Sequence, residues 1–171
     1  MCKLVDKLED RSVSYVMKKI FAIILISLLY TNVYALPKCP GEKRIISKWI
    51  NCTGSYKAVD GHSYSGDFDS DGNYGGNGVL ITKDGGKLEG QFLKGKLNGK
   101  GKQTFMKGNT KITYEGDWFM GNWHGKGKLW SDDGVFSYEG DFQNMEMTGY
   151  GTLKFNGNTQ TGNWKNGELV K

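Results

Sequence analysis

The stretch YEGDWFMGNWHGKGKLW, residues 114–130, contains the pattern that decides the fold. Over 114–118, Tyr, Gly and Trp alternate with Glu and Asp, and side chains in an extended strand point to opposite faces with a period of two. A glycine-bearing segment, 121–125, and a second extended run, 127–130, follow. The stretch therefore predicts a half-buried β-hairpin with its turn at 121–125.

The same pattern occurs five times along the chain. YSGDF begins at residue 64, LEGQF at 88, YEGDW at 114, YEGDF at 138 and a truncated QTGNW at 160, which gives intervals of 24, 26, 24 and 22 residues. A regular period in this range is typical of repeat proteins, in which each unit buries its apolar face only against its neighbours. The sequence therefore predicts an array of similar hairpins, and its function is to be sought on that array.

The units YEGDW-FMGNWHGKG and YEGDF-QNMEMTGYG resemble the MORN repeat, whose pattern is Tyr-Glu-Gly-x-Trp/Phe, a turn with Gly, and His/Asn-Gly-x-Gly. The resemblance covers Tyr64 to about Gly167. It implies an all-β fold, a single-layer twisted antiparallel sheet of stacked β-hairpins. It also implies a binding or scaffolding role, often at membranes.

Aromatic residues and glycines at repeated positions are predicted to form the core of the array. The chain has 26 Gly, 9 Tyr, 8 Phe and 5 Trp, so a thin core of rings packed over bare backbone is expected. These residues would form a flat aromatic and glycine surface that stacks on rings, on sugars or on an apolar strip of a partner. The predicted positions are Tyr64, Gly66, Phe68, Gly90, Phe92, Tyr114, Gly116, Trp118, Tyr138, Gly140, Phe142, Gly162 and Trp164.

Residues 1–35 have the pattern of a secretory signal peptide. A short basic stretch beginning at Met17 precedes an apolar run, 20–30, and a small-x-small cleavage site ending at Ala35. The run is shorter than the roughly 20 apolar residues that cross a bilayer. We therefore expect translation to start at Met17 and cleavage after Ala35, which gives a secreted or periplasmic protein. An uncleaved signal that anchors the chain in the membrane is the alternative.

Cys39 and Cys52 remain in the predicted mature chain. An even pair in an oxidising compartment predicts a disulfide, which would stabilise by about 3 kcal/mol through loop closure. Two free buried cysteines are the alternative. The predicted organisation is a signal segment, 1–35, a disulfide-clipped segment, 36–53, and the repeat array, 54–171.

Residues 36–171 carry 18 Lys and Arg against 15 Asp and Glu, a net charge of +3. This charge is too small and too dispersed to indicate a nucleic-acid partner. The lysines of the second strands face away from the aromatic side. They either pair with acids across the strands, with Asp117 near Lys128, or stack into a basic strip that binds lipid headgroups or another polyanion. The candidate strip consists of Lys100, Lys102, Lys126 and Lys128.

The sequence predicts no catalytic site and no cofactor. His124 is replaced by Asn or Thr in the other units, so it is interpreted as a structural turn residue, and His62 lies in a connecting turn. Repeated acids such as Glu115 and Glu139 are better explained by repetition than by hydrolysis. A small hydrolase that uses these acids is the remaining alternative.

Asp67, Asp69 and Asp71 resemble the first half of a calcium-binding loop. An EF-hand loop has a bidentate Glu at its twelfth position, where this chain has Gly78. The sequence therefore predicts no metal, with calcium at these three residues as the alternative.

Together these patterns predict an exported, non-catalytic binding or scaffolding module at the membrane or cell envelope. Its expected partner is an anionic lipid surface or an envelope or extracellular protein, and its edge strands offer a route to self-association. A protein-interaction module without lipid binding is the alternative. Trp118 is expected to stabilise the strand, and Trp123, in the predicted turn, is expected to affect binding alone.

Overall fold

The computed structural model describes residues 35–41 and 49–170, so most of the predicted signal segment lies outside the described residues. Within the described part, eleven β-strands form one antiparallel sheet, in which strands adjacent in sequence are adjacent in the sheet. The predicted all-β array of hairpins is therefore confirmed. The strands are β1 (Cys52–Lys57), β2 (Ser63–Phe68), β3 (Tyr74–Ile81), β4 (Lys87–Leu93), β5 (Lys96–Lys107), β6 (Thr110–Phe119), β7 (Asn122–Ser131), β8 (Phe136–Gln143), β9 (Glu146–Phe155), β10 (Asn158–Lys165) and β11 (Glu168–Leu169).

The hairpin turn of the central unit differs from the prediction. Phe119 pairs with Asn122, so the loop is only Met120–Gly121, and both loop residues have positive φ angles, 49° and 89°. This is the geometry of a type I′ turn, whose twist matches the flanking strands. The predicted turn at 121–125 was wrong, because the later glycine of that segment lies inside strand β7.

That glycine belongs to a β-bulge. Gly116 pairs with Gly127 while the next residue, Asp117, pairs with His124, so two residues of β7 are left over. The same shift occurs between β2 and β3, between β4 and β5 and between β8 and β9. Bulges bend a strand and increase its local twist. Each central hairpin is therefore bent at the same place.

A row of ten glycines crosses the sheet beside these bulges, one from each strand from β1 to β10. Neighbouring members face each other directly in the strand register. Gly116 lies so close to Gly127 that a Cβ on it would come within 2.5 Å of the Gly127 Cα. Only glycine fits this approach. The row is Gly54, Gly66, Gly78, Gly90, Gly101, Gly116, Gly127, Gly140, Gly151 and Gly162.

Aromatic rings cover the glycine row and join one unit to the next. The Tyr114 ring stacks on Trp123 of its own hairpin, with centroids 4.6 Å apart. It meets the edge of Phe142 in the following unit at 5.0 Å. Equivalent edge contacts link Tyr64 to Phe92 and Tyr138 to Trp164. The buried core contains Tyr64, Phe68, Phe92, Leu97, Tyr114, Trp118, Trp123, Tyr138, Phe142 and Trp164, together with Trp49 and Cys52.

The N-terminal edge of the sheet is covered by residues 37–39. Lys38 forms a parallel bridge with Thr53 of β1, and the Thr53 N–H donates to the Pro37 carbonyl at 2.8 Å. Cys39 and Cys52 are joined by a disulfide, with their Cα atoms 5.0 Å apart. This short segment therefore occupies backbone groups of β1 that would otherwise form an open edge.

Gly127→Ala is expected to destabilise the array strongly. Its Cβ would come within 2.5 Å of the Tyr114 hydroxyl and 2.7 Å of two ring carbons, while the backbone conformation itself suits alanine. Overpacking of this kind costs about 1–3 kcal/mol. Chemical unfolding followed by tryptophan fluorescence should show a lower midpoint. Gly41→Ala is the control, since its Cβ meets none of the described residues within 4 Å and should leave the midpoint unchanged.

Candidate binding surface

The face of the sheet opposite the aromatic core is here called the polar face. Its central row alternates in charge from β4 to β8, because each unit contributes an acid from its first strand and a lysine from its second. Neighbouring members are register partners, and like charges are never directly opposite. The row is Glu89, Lys102, Glu115, Lys128 and Glu139.

The ion pairs along this row are exposed and loosely held. The Lys102 Nζ lies 3.2 Å from Glu115, and the Lys128 Nζ lies 3.8 Å from Glu139. Glu89 pairs with Lys87 of its own strand at 2.6 Å, and this hydrogen bond lowers the pKa of the Glu89 carboxyl. Exposed pairs of this kind contribute about 0–1 kcal/mol each. Their main effect is to balance the charge of the polar face, and they add little to the stability of the fold.

A second row of acids caps the bulges. The Lys126 N–H donates to Asp117 Oδ2 at 3.0 Å, and the Tyr150 N–H donates to Asp141 Oδ2 at 3.1 Å. The Asn77 N–H donates to Asp67 in the same way at 3.2 Å. Each carboxylate thus accepts from a backbone N–H that the bulge leaves without a strand partner.

In two of these acids, Asp117 and Asp141, the other carboxylate oxygen holds a lysine from the preceding hairpin. Asp117 Oδ1 lies 2.5 Å from the Lys100 Nζ, and Asp141 Oδ1 lies 2.7 Å from the Lys126 Nζ. The Lys100 hydrogen bond is the main cause of the lowered pKa of Asp117, and the Lys126 N–H adds to it. These contacts run between units, so they tie adjacent hairpins together on the polar face.

The four lysines of the predicted basic strip are therefore separated by acids. Acids of β6 lie between the β5 pair and the β7 pair, and each lysine has a carboxylate within 4 Å. The predicted proximity of Asp117 and Lys128 was wrong, because the bulge shifts Asp117 opposite His124. The structure places Lys100, Lys102, Lys126 and Lys128 in an alternating lattice.

The MORN repeat model matches four consecutive segments, residues 64–87, 89–110, 114–135 and 138–160. The chain belongs to the MORN-repeat family. MORN repeats form binding or scaffolding modules that are generally non-catalytic and associate with membranes, lipids or proteins. A search of curated proteins finds no match to the chain.

The tyrosines of the MORN core are structural. The Tyr114 hydroxyl donates to the Asp117 carbonyl at 2.8 Å, and Tyr64 and Tyr138 make the same bond within their own units. Burial is the main cause of the raised pKa of all three phenols. They therefore remain protonated hydrogen-bond donors that fix the bulge rather than nucleophiles.

Trp123 was predicted to lie on the turn, and this prediction was wrong. It is the second residue of β7, is only 7% exposed, and stacks on Tyr114. Its Nε1 donates to Gln103 Oε1 at 3.1 Å. Since the loop is three residues shorter than predicted, Trp123 faces the core beside Trp118 and presents no free ring to a partner.

The two histidines have different surroundings. His124 is also in β7, not in a turn, and its ring lies 5.7 Å from Phe119. His62 contacts Asp60 through Nδ1 at 2.6 Å and the Tyr74 hydroxyl through Nε2 at 3.2 Å. Burial raises the pKa of the Tyr74 phenol, which is the opposite of what activation as a nucleophile requires. The contact holds the β1–β2 connection against β3.

Two aspartates of the possible calcium loop, Asp67 and Asp69, accept hydrogen bonds from this chain's own groups. Asp69 Oδ1 accepts from the Asp71 N–H at 2.9 Å and from the Asn73 N–H at 2.8 Å. Asp67 accepts from Thr53 and from the Asn77 N–H. Among the residues described here, no three His, Cys, Asp or Glu side chains are grouped to hold a metal.

Exposed rings and apolar side chains lie elsewhere than predicted. Tyr150 projects from the polar face of β9 and is 61% exposed. Leu93, Phe119, Met120 and Met145 are exposed at successive hairpin turns. The available signal for Tyr150 was its register: it replaces a lysine of the two preceding units. The outer side of β10 is paired with β11 only at Trp164 and Lys165, so an open edge remains there within the described residues.

Trp118→Ala and Trp123→Ala are both expected to destabilise the protein, each by about 3–5 kcal/mol, because both rings are buried in the same aromatic cluster. Circular dichroism during chemical unfolding would measure the loss. Phe119→Ala is the matched control, because this ring is 59% exposed at the adjacent turn. A Trp123→Ala variant with wild-type stability would contradict this placement.

Proposed function

We propose that the mature chain is an exported, non-catalytic scaffold that holds its partner on the polar face of the MORN array, at the cell envelope or outside the cell. The observation that carries this proposal is the alternating charge row that runs from Glu89 on β4 to Glu139 on β8. It provides a continuous exposed surface on which a long partner could lie, while the opposite face supplies the core.

Export is supported by two features. The segment ending at Ala35 has the pattern of a cleavable signal, and the Cys39–Cys52 disulfide suits an oxidising compartment. Nowhere in residues 35–41 and 49–170 does a helix reach the length and apolarity that crossing a bilayer requires.

The charge arrangement favours a partner other than an anionic lipid surface. A lysine near such a surface contributes about 1 kcal/mol when its charge is free. Here Lys100 and Lys126 are held by carboxylates at 2.5 and 2.7 Å, so much of their field is cancelled locally. The polar face thus suits a partner that matches alternating donors and acceptors.

Site-specific photo-crosslinking in the source cells tests where the partner lies. A photoreactive residue replaces Thr152 on the polar face, Phe155 on the apolar face or Leu93 at the turns, in the full-length chain. We expect adducts from the Thr152 position, and we expect them in the extracellular or envelope fraction, because this position lies beside Glu139 on the polar face.

The other two positions serve as matched controls, since Phe155 and Leu93 are also exposed. Equal adduct yields from all three would mean that the polar face is not selected. Adducts found only in the cytoplasmic fraction would contradict export, and cleavage after Ala35 is checked in the same sample by mass spectrometry.

A second candidate function is peripheral membrane attachment through the hairpin turns. Leu93, Phe119 and Met145 are exposed at three successive turns on one border of the sheet. A row of apolar side chains that enters the interface would bind lipid through buried apolar area rather than through charge.

Liposome flotation with anionic and neutral vesicles, at low and physiological salt, separates the two routes. Binding through the turns should be insensitive to salt and lost in a Leu93→Ser, Phe119→Ser, Met145→Ser variant. Binding through lysines should fade with salt and be lost when Lys100, Lys102, Lys126 and Lys128 are replaced. If the protein floats with neither vesicle type under either condition, membrane attachment by the mature domain is wrong.

A further inference from the structure

The fourth MORN unit differs from the two before it at two positions of the polar face. The bulge position is Lys100 in the second unit and Lys126 in the third, but Tyr150 in the fourth. Two residues later, Lys102 and Lys128 are replaced by Thr152. The alternating lattice of ion pairs therefore stops at β8, and a different surface begins at β9.

The bulge displays the Tyr150 ring. The backbone N–H of Tyr150 donates to Asp141 Oδ2 at 3.1 Å, and Asn163 of β10 is the strand partner of Tyr150. The Tyr150 side chain is 61% exposed. The nearest positions on this face carry the short side chains of Thr152 on the same strand and Asn163 on β10, and neither covers the ring. The ring is thus held at its backbone and is accessible from the polar face.

Hydroxyl, amide and carboxylate groups surround the ring. The Thr152 and Thr161 hydroxyls lie 2.9 Å apart and are exposed, and Asn163 is exposed beside Tyr150. The Glu139 side chain is 74% exposed, and its lysine partner is 3.8 Å away. These groups provide hydrogen-bond donors and acceptors that an uncharged ligand can use.

A shallow groove of about 700 Å³ runs from Tyr150 along the glycine row to Lys154. A neighbouring depression of about 560 Å³ contains Trp130 and shares Glu115 and Lys128 with it. From the strand register, Trp130 and Tyr150 are two strands and four residues apart, about 16 Å. The two rings therefore lie at opposite ends of one continuous surface.

The charges that border this surface cancel. The lysines are Lys126, Lys128 and Lys154, and the acids are Glu115, Glu139 and Asp141. A strongly anionic or cationic ligand would meet repulsion from one set. A protein interface normally has an apolar centre, and here the centre is glycine backbone with hydroxyls.

We propose that the polar face between Trp130 and Tyr150 binds a neutral polysaccharide. A pyranose ring presents a flat apolar face that stacks on Tyr150, while its hydroxyls hydrogen bond to Glu139, Thr152 and Asn163. This inference rests on the proposed function, since it names the class of partner that the polar face holds.

Affinity electrophoresis tests this binding with the folded mature protein. Native gels contain hydroxyethylcellulose, glucomannan or laminarin as neutral β-linked polysaccharides, and polygalacturonate as the anionic probe. We expect wild-type protein to be retarded by at least one neutral polysaccharide more strongly than by polygalacturonate. Tyr150→Ala and Tyr150→Lys, which restores the lysine of the preceding units, should bind at least tenfold more weakly.

Phe155→Ala is the matched control, because Phe155 is a 49% exposed ring on the opposite face of the same strand. It should be retarded like wild type, and circular dichroism should show that all variants remain folded. Trp130→Ala should weaken binding to long polysaccharides more than binding to short oligosaccharides, since its ring lies in the neighbouring depression, about 16 Å from Tyr150.

The inference is overturned if none of the three neutral polysaccharides retards the protein, or if Tyr150→Ala is retarded as wild type is. The crosslinking at Thr152 then separates this failure from that of the proposed function. A protein adduct from Thr152 without polysaccharide binding would leave the scaffold function standing and remove the glycan, whereas no adduct and no retardation would remove both.

Discussion

The contact between a tyrosine ring and a row of glycines is the interaction on which the rest of this MORN array depends. A single-layer sheet has no second layer to cover its apolar face, so it must bury its rings against its own backbone. Tyr114 lies over Gly116 and Gly127, and its hydroxyl donates to the Asp117 carbonyl at the bulge. The ring, the two glycines and the bulge therefore form one structural unit. A side chain at either glycine would push the Tyr114 ring away from the backbone.

The same structural unit also determines which side chains meet on the polar face. Bending the hairpin over the ring leaves two extra residues on the second strand, and the freed N–H groups are capped by acids such as Asp117 and Asp141. Those acids then hold Lys100 and Lys126 of the preceding hairpins. The ring contact on one face and the acid that caps the bulge on the other thus follow from one backbone geometry.

The repeat period and the strand faces were predictable, because the alternation of side chains depends on sequence spacing alone. The turn was not, because the segment 121–125 contains two glycines and the loop that forms, Met120–Gly121, lacks the usual Asn-Gly signal. That error also misplaced Trp123. The lysine contacts were missed for a different reason. They join Lys100 and Lys126 to the next hairpin, whereas the pattern was interpreted mainly within one hairpin.

Repetition also separates the residues that build the array from those that give it a function of its own. A position filled alike in every unit is explained by the requirements of stacking, as the glycine row shows. Where the residue type differs between units but the backbone geometry is the same, stacking does not determine the residue. Tyr150 and Thr152 occupy the same bulge geometry as Lys126 and Lys128 while removing two ion pairs and exposing a ring. Thr152 gains a hydrogen bond to Thr161 at 2.9 Å, but the Tyr150 ring is exposed and adds nothing to the core, so a ligand is the more economical reason for the ring.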